Sequence, residues 1–398
     1  MSLSIEDFTS SITVADLDGD PYPIYARLRR EAPAAWVPSV NMWLVTRAED
    51  VEIVAGRPEM YSAQVDGSPL DLSFGGPNIL TLDGEPHLDL RKSLDRKYRP
   101  REVSSYIDDL VQPIARTYLD KVLSHEDRRA ELVVEYFEPI SVLSLGAVLG
   151  LGHLSAETLQ YWFHGLAMGA TNFERDPDKQ AINDEITAHI DAELRPLMEE
   201  LRVHPDGSTL AHMLVTGRPE GQPRTIEEVL PSFKVIILGG MQEPGHGAAS
   251  CLFGLLSNPR QMQLVRDEPE RWDDAVHEGL RWVAPIGTQV RQSTTDVTIA
   301  GINIPAGQPI AAVIASACRD EELWDDPDSF DITRERRANA SFGFGPHFCA
   351  GHAFARDQER IALSMLVNAM PDLALDPTFD VEMRGWEFRA PTQLRVTW

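Results

Sequence analysis

The 398-residue chain is poor in cysteine: it has 3, Cys251, Cys318 and Cys349. An odd, sparse set makes no disulfide framework, and the expected compartment is reducing cytosol. Basic residues are scarce as well. The 36 Lys and Arg stand against 62 Asp and Glu, a formal charge of −26. Nucleic acid and anionic membrane would both be repelled, so neither is expected as a partner. Long hydrophobic runs are missing. The longest candidate, VIILGGM at 235–241, stops at Gln242 and Glu243, well short of the roughly 20 apolar residues of a membrane span. The start, MSLSIEDFTS, has neither a basic n-region nor an apolar h-region and does not read as a signal peptide. Internal repeats, low-complexity tracts and long Ser/Gly linkers are also absent.

What is present suits a globular enzyme with a large core and room for an internal cavity. Helical spacing occupies 21–32, 101–123, 131–150, 156–170, 181–202, 226–257, 269–283 and 352–370, the last closed by Pro371. Alternation with Gly and Pro breaks marks 35–46 and 288–312 as β-rich, with GINIPAGQPI (301–310) reading as a hairpin. The expected fold class is mainly α with small β-sheets. The Gly- and Pro-rich stretch 203–224 is the best loop-rich interruption. Motifs on both sides of it must converge on one site, so 1–398 is expected to form a single domain.

The strongest motif runs Phe342-Gly343-Phe344-Gly345-Pro346-His347-Phe348-Cys349-Ala350-Gly351 and leads directly into the helix HAFARDQERIALSMLV. A lone Cys is commonly a buried structural thiol. Ten residues in the pattern F-x-x-G-x-x-x-C-x-G are a different matter. The segment resembles the cysteine loop of the cytochrome P450 superfamily, in which the thiolate ligates haem iron and its electron donation favours O–O cleavage. Glycines let the backbone turn tightly, so that amide N–H groups point at the sulfur. With the following helix N-terminus they stabilise its negative charge. The resemblance makes Cys349 the iron ligand, Phe342 its shield and His347 a partner of a haem propionate. It implies haem b buried between the helices the family calls I and L, here 226–257 and 352–370.

Three further segments extend the resemblance over nearly the whole chain. Glu278-Gly279-Leu280-Arg281 is the E-x-x-R of the family's K helix, about 70 residues before Cys349. At i,i+3 its two charges share a face, and Arg319 and the cluster Arg334-Glu335-Arg336-Arg337 offer further partners. Asp83-Gly84-Glu85-Pro86-His87-Leu88-Asp89-Leu90-Arg91 resembles the start of the C helix, where His87 and Arg91 at i,i+4 are expected to hold one propionate jointly. Arg291 stands where the family places another propionate-binding Arg.

The oxygen-activating helix departs from the usual A-G-x-(D/E)-T-T. It reads Gly239-Gly240-Met241-Gln242-Glu243-Pro244-Gly245-His246-Gly247. Gln242 takes the acid position and Glu243 the Thr position, or Glu243 the acid position after a one-residue shift. Either way the hydroxyl is missing. An amide to orient water and a carboxyl group to transfer protons are expected to do its work, which makes Gln242 and Glu243 the catalytic pair. Pro244 is expected to open the helix locally.

This block closely resembles the bacterial guaiacol O-demethylases, which remove methyl groups from lignin-derived methoxyphenols. Tyr106–Arg116, Glu278–Trp282 and Gly385–Thr392 also match them. The resemblance implies a small, aromatic-lined pocket formed by Phe74, Leu80, Ala170, Val235, Gly239, Ile286, Val290 and Phe388. Ala170 stands where those enzymes carry Phe, which enlarges one end. It also implies oxidative O-demethylation to a catechol and formaldehyde, with electrons from NADH through a separate reductase carrying FAD and a 2Fe–2S cluster. Arg91, Lys92, Arg96, Lys97 and Arg99, with Arg334, Arg336, Arg337 and Arg356, form basic islands where an acidic partner would dock. Two other functions fit the motifs: a monooxygenase of a terpenoid, fatty acid or macrolide, and a non-catalytic haem sensor. Gln242 and Glu243 argue against the sensor.

Overall fold

The computed structural model of the protein describes residues 3–219 and 221–398. Eight helices position the site: α1 (Gly84–Tyr98), α2 (Ile107–Leu123), α3 (Glu138–Leu149), α4 (Ala156–Ala170), α5 (Pro177–Val203), α6 (Ile226–Ser257), α7 (Trp272–Trp282) and α8 (His352–Ala369). α6 is the axis. It opens on a capping box in which Thr225 and Glu228 satisfy each other's backbone N–H groups. Apolar on most of its faces, it packs against α3, α4, α7 and α8.

α6 runs without interruption through Pro231 and Pro244, so the expected local opening at Pro244 does not occur. Proline has no N–H to bond the carbonyl of Gly240, but tight packing holds the turn. A Cβ on Gly240 would meet Leu145 at 2.5 Å, and one on Gly245 would meet the Phe137 backbone at 3.3 Å. These two glycines let α6 lie directly against α3 and the π-helical turn Val133–Phe137 that precedes it.

Five strands form the main sheet: β1 (Ala34–Val37), β2 (Met42–Val45), β3 (Tyr61–Ser62), β4 (Gln289–Ser293) and β5 (Pro309–Ala312), in the order β1-β2-β5-β4-β3. Only β2 and β5 run parallel. The hairpin expected over 301–310 is displaced. Val297–Ile299 pairs with Ile302–Ile304, because the left-handed turn sits at Ala300 (φ 48°) and Gly301 (φ 80°). Pro309–Ala312 instead pairs with β4 and β2. The stretch 203–224 is also more ordered than expected. It contains the helix Thr209–Val215, capped by Ser208, which buries Leu210, Met213 and Leu214.

The largest core cluster gathers residues from Phe74 to Val396 around α6, and two smaller ones pack on either side of the main sheet. Among the described residues, no helix is long and apolar enough to cross a membrane.

Candidate active site

Two 3₁₀ turns, Ala340–Phe342 and Gly345–His347, carry the chain to Cys349. Gly343 and Gly345 have φ of 71° and 65°, which favours glycine. Space demands it too. A Cβ would meet the Gln289 side chain at 2.3 Å in one case and Gly56 Cα at 2.8 Å in the other. The Cys349 amide donates to Phe342 O (2.9 Å), which folds the loop back on itself. Burial pushes the Cys349 thiol up, while the Gly351 amide, Arg91 and Arg356 favour the thiolate. Cys349 is nevertheless only half-buried, so protein does not pack over its whole surface. Arg356 lies over the Phe342 ring, 4.7 Å from its centroid.

Charged and polar groups ring this loop. His87 is buried in α1, and its ring lies 4.2 Å from that of His347. Burial, then His347 and Arg91, hold the His87 pKa down to about 4. His347 Nε2 contacts Asp83 Oδ1 at 3.2 Å. Burial raises the Asp83 carboxyl, but hydrogen bonds from His347, Ser62 and the Ala63 amide outweigh it and bring it to about 2. Arg291, on β4, is buried and donates from Nη1 only to its neighbour's Val290 O (2.8 Å). Burial pulls its guanidinium down to about 10.

Arg91, expected to hold a propionate with His87, also has partners within the protein. Its Nε bonds Asp95 (3.0 Å) and its Nη1 bonds Phe348 O (2.8 Å). A carboxylate one turn along α1 and a loop carbonyl in reach take up those donors. Arg91 thereby ties α1 to the cysteine loop.

These residues fit haem. His87 Nε2 and Arg291 Nη2 are buried without a hydrogen-bond partner, an arrangement costly unless an anion meets them. The propionates of a haem whose iron lay at Cys349 would be such anions.

On α6, Gln242 is buried with Oε1 unpartnered, and both Glu243 oxygens are buried and unpartnered. Burial raises the Glu243 carboxyl well above its ordinary value and so favours its neutral form. A Cβ built on Gly239 would meet nothing within 4 Å, so the helix is open on this face.

A cavity of about 530 Å³ is lined by Leu80, Ala170, Ile286, Val290 and Phe388, together with Arg291 and His347. Phe74 and Val235 sit in the main core instead, and Gly239 is not among the lining residues of this cavity. Sequence reasoning missed Glu387, which also lines it. Glu387 is buried 2.8 Å from Thr288 Oγ1, and burial pushes it up to about 7. It missed Glu359 of α8, buried against Gly247 and raised well above its ordinary value by burial. It also missed Glu138, held between His246 and His164. No local spacing signals these contacts, because the partners come from elements far apart in the chain.

The E-x-x-R pair forms as expected. Arg281 bonds both Glu278 oxygens at 2.7 Å, and Arg334 Nε reaches Glu278 Oε1 at 3.2 Å. Arg319 stays outside this network. It bonds Asp328 and Trp282 O and lies 3.4 Å over the Tyr22 ring. Of the basic islands, Arg336 pairs with Asp274 (2.5 Å) and Arg337 with Glu335 (3.5 Å), whereas Lys92, Arg96 and Arg99 are exposed.

A cytochrome P450 family profile matches residues 225–370. The chain is 30% identical over 368 residues to the cytochrome P450 monooxygenase PikC of Streptomyces venezuelae, covering 91% of this chain and 86% of that protein. It is 30% identical over 401 residues to nocardicin C N-oxygenase of Nocardia uniformis, covering 96% and 97%. Among solved structures, the cytochrome P450 CxnD superposes with a TM-score of 0.88 at 24% identity, over 98% of this chain and 97% of that one. Myxobacterial CYP267B1 in complex with myristic acid gives 0.85 at 26%, over 95% and 96%. The half-buried loop cysteine, the unpartnered rim donors and these similarities over most of the chain agree: the chain belongs to the cytochrome P450 family of haem monooxygenases, mainly helical with small sheets.

Proposed function

We propose that this chain is a haem-thiolate monooxygenase that demethylates a small methoxyphenol, guaiacol or a 4-alkylguaiacol, to a catechol and formaldehyde. One observation carries the reading. In the block Gly239–Gly247, the buried carboxyl group of Glu243 stands at the hydroxyl or the acid position of the family's pattern, the hydroxyl is missing in either alignment, and the block resembles that of the guaiacol O-demethylases.

When bound, haem supplies the two-electron oxidation of a C–H bond by O₂. Cys349 is the residue to ligate it, with the Gly351 amide holding the sulfur's charge. His87, His347 and Arg291 bind its carboxylates. Arg91 keeps the cysteine loop on α1. Leu80, Ile286, Val290 and Phe388 hold the aromatic ring and exclude water, which orients the methyl carbon. Gln242 positions water through its amide, and Glu243 holds a transferable proton on its carboxyl oxygen. Once the methyl carbon is hydroxylated, its bond to the ring oxygen breaks: the carbon departs as formaldehyde, and the hydroxyl proton passes to the ring oxygen to give the phenol.

The site draws on residues from Leu80 to Phe388, which supports one functional domain over 1–398. No flavin, nicotinamide or iron–sulfur motif is present in the sequence, so electrons come from a separate reductase. We assign that role to an NADH-fed protein with FAD and 2Fe–2S centres. The exposed Lys92, Arg96 and Arg99 offer an acidic partner its docking charge.

A second reading, hydroxylation of a fatty acid or terpenoid, draws on the apolar lining of the cavity and on the myristic acid bound by CYP267B1. One experiment separates the two. The purified holoenzyme is titrated with guaiacol, 4-propylguaiacol and myristic acid, following the Soret shift, and formaldehyde is then measured under NADH-driven turnover. Saturable shifts and stoichiometric formaldehyde with a methoxyphenol support demethylation. A shift with myristic acid alone overturns it.

A further inference from the structure

We propose that His164, Glu138 and His246 form a proton relay that connects solvent to the buried carboxyl group of Glu243. The inference rests on the reading of Glu243 as a proton holder and extends it to the source of the proton. A protonated carboxyl group enclosed in the core can give up one proton unaided. To act repeatedly it needs a path by which the proton is replaced.

Three residues on three helices make that path. His164, in the middle of α4, is 55% exposed and places Nε2 3.4 Å from Glu138 Oε2. Glu138, the first residue of α3, is 2% exposed and places Oε1 3.2 Å from His246 Nε2. Gln160 also donates to Glu138 Oε2, at 2.9 Å, and fixes the carboxylate plane. His246 is 14% exposed, and its other ring nitrogen, Nδ1, is buried with no partner. His246 stands three residues beyond Glu243 on α6. Side chains at i,i+3 share a helix face, with Cβ atoms about 5–6 Å apart. The unpartnered Nδ1 and the unpartnered Glu243 oxygens therefore lie one turn apart on one face.

The backbone is built for this approach. Gly245 lies between Glu243 and His246, and a Cβ there would press on Phe137 O at 3.3 Å and Glu138 Cα at 3.4 Å. Without it, α6 could not bring the His246 ring to Glu138. The buried carboxylate, bracketed by two imidazoles, also has a plain electrostatic signature. Burial alone would raise Glu138, but the hydrogen bonds from His164 and His246 bring it down to about 2. Glu138 thus rests as a carboxylate and carries a proton only in transit.

The transfer balances. A proton on His164 Nε2 passes to Glu138 Oε2. With His246 in the tautomer that carries its proton on Nδ1, the carboxyl group rotates, delivers that same proton to His246 Nε2 and is a carboxylate again. The imidazolium so formed gives its Nδ1 proton toward the Glu243 carboxylate, and a ring flip restores the starting tautomer. One proton enters from water, one arrives at Glu243, and no heavy-atom bond changes. The other titratable group beside Glu243 is Glu359 of α8, with Arg356 near it, so an alternative route would run through α8.

The test follows the Glu243 carboxyl band by infrared spectroscopy after rapid mixing of the holoenzyme into D₂O. The band is identified by its loss in Glu243→Gln. His164→Ala, a surface change, and His246→Gln should each slow its H/D shift by about tenfold or more, within the reach of one positioned proton carrier. A morpholine-based buffer should restore the His164→Ala rate in proportion to its concentration, which a merely structural role would not allow. The same variants should release several-fold more peroxide per NADH. Unchanged exchange in both variants, or slowing only in Glu359→Gln, overturns the relay. If Glu243→Gln itself leaves peroxide release unaltered, the reading of Glu243 fails instead, whatever the exchange rates show.

Discussion

Arg281 and Glu278, one turn apart on α7, form a two-point ion pair in which both N···O distances are 2.7 Å and neither side chain is more than 4% exposed. Arg281 spends its remaining donors on the carbonyls of Cys318, Pro327 and Ser329. One guanidinium thus pins the segment before the cysteine loop to α7. Removing one partner leaves an uncompensated buried charge, which costs about 3–5 kcal/mol. Glu278→Gln should therefore lower the thermal midpoint sharply and weaken haem retention. A midpoint within about 2 °C of the parent, smaller than such a loss would give, would show that the pair is not structural.

Cys349→Ser should fold, because the loop's turns depend on Gly343 and Gly345 rather than on the sulfur. Its reduced carbon monoxide complex should lack the red-shifted Soret band of thiolate ligation that the parent shows. A parent spectrum without that band would remove Cys349 as the ligand.

Glu243→Ala deletes the protonated carboxyl group while leaving the pocket lining intact. Product formed per NADH should drop, with peroxide making up the difference, by roughly the 10²-fold or more that a general acid contributes. The same carboxyl group should let the parent use H₂O₂ without a reductase. Coupling equal to the parent's, measured as formaldehyde against NADH, would exclude the role.

Ala170 lines the cavity and is buried. A para-propyl chain placed there would gain about 0.8 kcal/mol per methylene, or about 2 kcal/mol in all, roughly thirtyfold in affinity. The parent should bind 4-propylguaiacol more tightly than guaiacol. Ala170→Phe should reverse the order, since overpacking costs about 1–3 kcal/mol for the longer ligand. Equal changes in both dissociation constants would mean that the alkyl group points elsewhere.

Stability should fall on acidification because of Glu138. Its carboxyl group lies at about 2 in the folded protein against an ordinary 4.5. A depressed folded value adds stability that is present above the unfolded value and is lost as pH falls from about 4.5 to about 2. Glu138→Gln lacks that contribution. Its stability should be lower than the parent's at pH 6, and the gap should narrow below pH 4.5 and close near pH 2, as read from urea midpoints. A gap independent of pH would contradict the assignment.

The sequence by itself determined the parts that depend on local chemistry. Gly343 and Gly345 before Cys349, the i,i+3 pairing of Glu278 with Arg281 and the apolar spacing of 226–257 are all properties of neighbours along the chain. Each appears in the structure where the residues imply it. Tertiary structure decided what depends on packing between distant elements. Arg91 bonds Asp95 and Phe348 O because the cysteine loop comes within reach of its guanidinium, a contact that the spacing of His87 and Arg91 does not contain. α6 stayed continuous at Pro244 because α3 packs against it from Gly240 to Gly245, a contact that proline's local preference does not contain. Glu138 met two histidines from α4 and α6, 26 and 108 residues away along the chain. No periodicity records such a meeting, because a side chain's partners across a core are set by how helices cross, and crossing is fixed by the summed packing of every layer between them.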